Sequence, residues 1–169
     1  VVKACYMAEL ACYWARTGEF DKAEELRSQL RQGFGDGRNV RDWLYVQDHC
    51  EAIDLVFHKG TPGKTYNIGG HNEIENVALV REICAILDEM LGGQPRGDRI
   101  TFVKDRPGHD RRYAIDASLI QRELGWVPKH TFHEGLRATV RWYIEHEQWL
   151  RDCISGDYLK YYDSMYVRR

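Results

Sequence analysis

The sequence predicts an α/β fold preceded by a helical hairpin, and three observations carry that prediction. From Phe34 onward, short β-branched or aromatic runs alternate with amphipathic helical stretches, the texture of an α/β piece. Before that point, apolar residues recur only at helical spacing. Between two strand-like pieces, Arg106, His109, Arg111 and Arg112 gather around Pro107-Gly108, a turn that aims forked cations as if at a polyanion.

The first element is read from Ala4, Met7, Ala8, Ala11, Tyr13 and Trp14, which repeat at helical spacing up to a Thr17-Gly18 break. A second helix starts at Glu19-Phe20-Asp21 and runs through Ala23, Leu26 and Leu30. The string from Trp14 to Leu26 resembles the turn of a tetratricopeptide repeat, and it equally fits an ordinary helical hairpin. No second copy follows, so an array is not supported. The expected division is therefore a hairpin over residues 1–32 and an α/β portion over 33–169.

Within the second portion, residues 43–46 read as a strand. A helix follows that Asp48 would cap, with Ala52, Ile53, Leu55 and Val56 on its apolar side. Residues 65–68 read as a second strand ended by Gly69-Gly70. Residues 76–91 form a strongly amphipathic helix closed by Gly92-Gly93. Residues 100–103 make a third strand leading into the arginine-rich loop, and 114–116 a short extended piece. Residues 118–124 are a helix with Asp116 and Ser118 as N-terminal caps, stopped by Gly125-Trp126-Val127-Pro128. A single long helix is expected from residue 132 to about 153, and Trp126 and Trp142 are assigned to the core. These strands are too few for a complete doubly wound sheet.

Composition narrows the function. Charged residues make up 30% and hydrophobic ones 43%, ordinary for a globular protein, and the net charge of -2 speaks against a nucleic-acid surface. No apolar run reaches the length of a membrane span, and the N-terminus lacks a signal-peptide layout. The five cysteines are odd in number and scattered, as expected of reduced thiols in a cytoplasmic protein. His130, His133 and His146 invite a metal reading, but they show no matched Cys or acidic partners at ligand spacing, so no metal is expected. The chain begins at Val1, which suggests a fragment, a processed product or an incomplete gene.

Three motifs then converge. Arg41-Asp42-Trp43-Leu44-Tyr45-Val46-x-Asp48-His49, Tyr66-Asn67-Ile68-Gly69-Gly70 and Leu124-Gly125-Trp126-x-Pro128 resemble segments of the extended short-chain dehydrogenase/reductases that act on nucleotide sugars. The longer string from Tyr66 to Asn76 and the loop Asp105-Arg106-Pro107-Gly108-His109-Asp110 narrow this to the dTDP-glucose 4,6-dehydratases. The aromatic tail with Tyr158, Tyr161, Tyr162 and Tyr166 is also similar to many members. The resemblance runs from about Phe34 to the C-terminus and implies the C-terminal, substrate-binding part of an extended Rossmann-type enzyme.

The family resemblance implies an NAD-dependent lyase. Such enzymes oxidise C4 of a dTDP-hexose, eliminate water across C5 and C6, and return the hydride to C6. It implies dTDP or a dTDP-hexose as ligand, with Arg41 on the diphosphate and Asn76 on the nucleotide portion. Asp105, Arg106, Pro107, Gly108 and His109 would form the loop that closes over diphosphate and ribose. Phe34 would offer an aromatic face to the base where the family has tyrosine. Arg41 precedes a strand and Asn76 opens a helix, both suitable places for anion contacts. Read without the resemblance, Arg41 would pair with Asp42, and Asn76 would simply cap its helix.

The same comparison implies what this chain lacks. Gly33-x-Gly35-x-Gly37 has neither the preceding strand nor the following helix of a dinucleotide loop. The Tyr-x-x-x-Lys pair and the Thr and Asp-Glu of the family are not found, so neither a catalytic residue nor an NAD site is expected here. The leading expectation is a dehydratase-like, substrate-binding portion that forms a homodimer or associates with a missing N-terminal part. The alternatives are a non-catalytic nucleotide-sugar binding module, or a tetratricopeptide-like adaptor carrying an enzyme remnant.

Overall fold

In a computed structural model, residues 36–100, 102 and 108–153 are described, 151–153 as helical backbone only. The hairpin expected over 1–32, the aromatic tail, Phe34 and Asp105 to Pro107 lie outside the described residues.

The organising element is a short antiparallel ribbon. Strand β1 (Val40–Asp42) pairs with β2 (Glu73–Glu75) in the register Val40 to Glu75, Arg41 to Ile74 and Asp42 to Glu73. On its other side β1 is bridged in parallel by Arg112. There the Val40 N–H donates to the Arg111 carbonyl at 2.8 Å, and the Tyr113 N–H to the Val40 carbonyl at 3.1 Å. Arg41 is thus the middle residue of a strand flanked on both edges.

This corrects the strand expected at 43–46. The ladder ends at Asp42, and Val46 already opens helix α1 (Val46–Lys59). The cause is the Asp42 carboxylate, which accepts the N–H groups of Gly70 and Asn72 at 2.8 Å each. Those bonds fold the 69–72 turn onto the end of β1, where the Trp43 N–H still donates to the Asn72 carbonyl at 3.1 Å but the strand goes no further. Gly70 is essential to this closeness, because a Cβ there would stand 2.3 Å from the Trp43 carbonyl oxygen. No element is expected at 73–75 from the sequence, and β2 arises only through its pairing with β1.

Residues 65–68 form no strand among the described residues. They run extended, with Tyr66 and Ile68 packed into a core cluster and the Asn67 side-chain amide reaching the Asp116 carbonyl at 3.3 Å. Residues 100 and 102 also lie outside any strand, as do 114–116.

Helix α2 (Asn76–Leu91) matches its expected range and ends at Gly92, whose φ of 64° suits a glycine. A 3-10 turn (Gly97–Arg99) leads on to α3 (Ser118–Leu124). The cap position of α3 is Ala117, not the expected Asp116 or Ser118, although Asp116 Oδ1 accepts the Ser118 N–H at 2.9 Å. Ser118 itself is the first helical residue, and its hydroxyl accepts from Arg122. The expected single C-terminal helix is two, α4 (Phe132–Glu145) and α5 (Glu147–Cys153), divided at His146 with φ -114° and ψ 44°. α4 starts in a capping box in which Thr131 and Glu134 each bond the other's backbone N–H. Asp48 caps nothing. It lies inside α1, fully buried, and its carboxylate faces His130.

Two apolar clusters hold these elements together. Leu79, Ile83, Ile86 and Leu87 of α2 meet Val140 and Tyr143 of α4, while Ala52 of α1 meets Ala117, Ile120 and Trp126 around α3. Fully burying each large side chain contributes roughly 1.5–3 kcal/mol. Two core assignments are corrected. Ile53 is 52% exposed, because Ala52, Leu55 and Val56 already define the inward face and Ile53 lies a third of a turn away. Trp142 is 40% exposed, because its neighbour Tyr143 takes the core position; Trp142 stacks on His146 with ring centroids 4.3 Å apart. No helix among the described residues is long and apolar enough to cross a membrane.

Candidate functional site

The site is built on β1 and on the segment that bridges it. Arg41 projects from the middle of the strand, and its guanidinium is held from several sides. Nη1 donates to the Val40 carbonyl at 2.7 Å, and Nη2 donates to the Asp110 carbonyl at 3.0 Å. Nη2 also lies 3.1 Å from His109 Nε2; a guanidinium can only donate, so that imidazole nitrogen accepts. The guanidinium carbon stands 4.2 Å from the centre of the Tyr113 ring, a cation–π distance. The Tyr113 hydroxyl in turn donates to the Asp110 carboxylate. Among the described residues, nothing takes the Nε–H or the second Nη1–H of Arg41.

Arg41 does not need Asp42 as a partner. Side chains alternate along a strand, and Asp42 is spent on the 70–72 turn while Arg41 faces the 109–113 segment. His109, expected in a loop over the diphosphate and ribose, lies beside Arg41; Gly108 carries a φ of 69°, a left-handed value that suits a glycine. Two further arginines of the loop are engaged elsewhere. Arg111 pairs with Asp36 at 2.9 Å and Arg112 with Glu73 through Nε at 2.7 Å, all on exposed side chains. The Arg38 N–H and then the Arg111 guanidinium hold the Asp36 carboxyl below its usual pKa.

Asn76 opens α2. Its N–H donates to the Asn39 carbonyl at 3.0 Å, and the next N–H, of Val77, to the Gly37 carbonyl at 2.8 Å. The first two N–H groups of the helix are therefore taken by backbone carbonyls, and the cap position belongs to Glu75. The Asn76 side chain does no capping. Its Oδ1 is buried without a hydrogen-bond partner.

The motif reading singles out neither Asn39 nor Tyr113 as a site residue and includes Asp110 only as the last residue of the Asp105–Asp110 string; each acquires its role when the 109–113 segment docks on β1. The most evident concavity, about 460 Å³, lies apart from Arg41 and is a shallow depression lined by residues such as His49, Tyr66, Asn67, Ile115 and Asp116.

The histidines also have partners that sequence spacing could not reveal. His130 faces Asp48 and His133 faces Glu82 at 2.6 Å, across 82 and 51 residues of chain respectively. Among the described residues, no three His, Cys, Asp or Glu side chains converge as a metal set. Cys84 is a half-buried thiol whose pKa is raised by desolvation, with the Asp88 charge adding to it. The one described helix that follows directly on a strand is α2, and its first two N–H groups are taken by the Asn39 and Gly37 carbonyls.

Comparison with known proteins adds a family model, a relative and two solved structures. The family model described as GDP-mannose 4,6 dehydratase matches residues 22–139. A dTDP-glucose 4,6-dehydratase of Xanthomonas campestris is 52% identical over 139 residues, covering 80% of this chain and 40% of the relative. Among solved structures, a dTDP-glucose 4,6-dehydratase of Bacillus anthracis in complex with NAD is 48% identical with a TM-score of 0.60, covering 75% of this chain and 38% of that one. Another, from Streptomyces venezuelae with NAD and dTDP bound, is 44% identical with a TM-score of 0.58, covering 68% and 34%. The chain thus spans about 40% of the length of the curated relatives it matches.

Proposed function

Because the chain belongs to the GDP-mannose 4,6 dehydratase family, we propose that it is the nucleotide-sugar-binding portion of a dTDP-glucose 4,6-dehydratase and that dTDP, free or carrying a hexose, is its ligand. The observation that carries this reading is the setting of Arg41. A cation fixed at the middle of a strand, with its orientation set by two carbonyls, an imidazole and an aromatic face, keeps two N–H groups that no described residue takes. Such a group suits a diphosphate, whose oxygens accept forked hydrogen bonds. Asn76 suits the base, since the unpartnered Oδ1 would accept an imide N–H. The Asp105 to His109 loop would close over diphosphate and ribose, and Phe34 would stack on the base.

In the whole enzyme NAD would supply the hydride acceptor for oxidation at C4. With the Tyr-x-x-x-Lys pair missing from its sequence, the chain by itself is a binding module without turnover. Its place would be the cytoplasm. Val46, Ile53 and Phe57 on α1 are 58%, 52% and 84% exposed, which favours association with the remainder of such an enzyme or with a second copy.

Calorimetric titration with dTDP tests the reading. Saturable binding that is lost in both Arg41→Ala and Arg106→Ala supports it; a folded chain that takes up no dTDP rules it out.

A further inference from the structure

We infer that Asn39, which no motif singles out, is a positioning residue that sets the guanidinium of Arg41 for its ligand; the inference rests on the nucleotide-binding reading above and assigns it one more residue. Asn39 immediately precedes β1 and is 1% exposed. Residues two apart on an extended segment point to the same side, so Asn39 and Arg41 face the 109–113 segment together. Both donate to one acceptor. The Asp110 carbonyl takes the Asn39 Nδ2–H at 3.1 Å and the Arg41 Nη2–H at 3.0 Å.

The same residue holds the other half of the candidate site. Its own carbonyl accepts the Asn76 N–H at 3.0 Å. Asn39 therefore connects the strand bearing Arg41, the helix start bearing Asn76 and the segment bearing His109. Its side chain reaches the one carbonyl that also orients the cation.

The cost of this arrangement is visible. Asn39 Oδ1 is buried and has no hydrogen-bond partner. A buried polar atom left unpaired is unfavourable, and an apolar residue of similar size would remove the penalty. What an apolar residue cannot supply is the Nδ2–H that fixes the Asp110 carbonyl. Retention of an asparagine with half its amide unsatisfied is accounted for by that donor.

The test uses the full chain and Asn39→Leu, which keeps the volume and deletes the donor. Thermal melting should find the variant folded, with stability near or above the parent. NMR of the Arg41 side-chain N–H signals, assigned by their loss in Arg41→Lys, should show them shifted. Calorimetry should show dTDP binding weakened about tenfold. In an Arg41→Ala background, the same Leu substitution should cause no further loss, because a residue acting through Arg41 has nothing left to position. An additive loss, or unchanged Arg41 signals in a folded Asn39→Leu variant, overturns the inference. So does unweakened binding. If Asn39→Leu does not fold, Asn39→Ser takes its place under the same criteria. If the parent chain binds no dTDP while the Arg41 signals still move, the nucleotide reading falls and the positioning of Arg41 by Asn39 stands.

Discussion

The carboxylate of Asp48 and the imidazole of His130 meet with Oδ1 and Nδ1 2.9 Å apart, and the His130 backbone N–H donates to the second carboxylate oxygen at 3.1 Å. Asp48 is fully buried and comes from the first turn of α1, while His130 belongs to the link between α3 and α4. The pair thus ties the site-bearing ribbon and its helix to the C-terminal helices. The Tyr45 ring, edge-on to His130 at 4.8 Å, covers it.

Stability should depend on acid through this pair. Desolvation raises the Asp48 carboxyl, but the His130 side-chain and backbone donors, the Lys129 N–H and the His130 charge lower it, and the net shift is downward. A carboxyl depressed in the folded state contributes stability that is present above its unfolded pKa and lost as pH falls through the folded one. Melting at a series of pH values should therefore show stability declining below about pH 4. Asp48→Asn should lower stability by roughly 1–3 kcal/mol near neutrality, and its difference from the parent should shrink in acid. A difference independent of pH would mean the charge is not involved.

Removal of the α4 cap should be felt locally. Thr131→Ala deletes the acceptor for the Glu134 N–H and opens the capping box, at a cost of about 1 kcal/mol by denaturant titration. Glu134 is also held below its usual pKa, first by the Thr131 N–H and then by its hydroxyl, so acid should erase part of the same contribution.

Gly70→Ala should destabilise far beyond the usual cost of a surface substitution. The added Cβ would lie 2.3 Å from the Trp43 carbonyl oxygen, a backbone atom with no room to withdraw. The turn would have to release the Asp42 carboxylate, for an expected loss of about 1–3 kcal/mol. By contrast, Gly93→Ala meets no atom within 4 Å of its new Cβ and should show only the backbone strain of a φ of 93°.

At the site, Arg41→Ala should leave melting within a few degrees of the parent while abolishing detectable dTDP binding. The chain alone should convert no dTDP-glucose even with added NAD. Measurable turnover would show that a cofactor seat exists in this chain.

The sequence by itself determined the local elements whose signals are local. The amphipathic run and closing glycine of α2 were legible to the residue, as were α3 and its Gly125 stop, because periodicity and capping act within a few turns. The motif strings also sufficed to name the family to which the chain proved to belong. Only the tertiary structure decided which residues become strand. β1 sits where residues 73–75 and 112 pair with it, and the aromatic 43–46 run turns away because Asp42 is captured by Gly70 and Asn72. Strand identity depends on a partner distant in sequence, so neither 43–46 nor 65–68 could be judged from its own composition. The site divides the same way. Arg41, Asn76 and His109 were readable as motif positions, but the Arg41–His109 contact spans 68 residues, and Asn39 and Tyr113 enter only because that contact brings them in. A residue's chemistry is written in its own identity, whereas its neighbours are set by the packing that closes the chain between them.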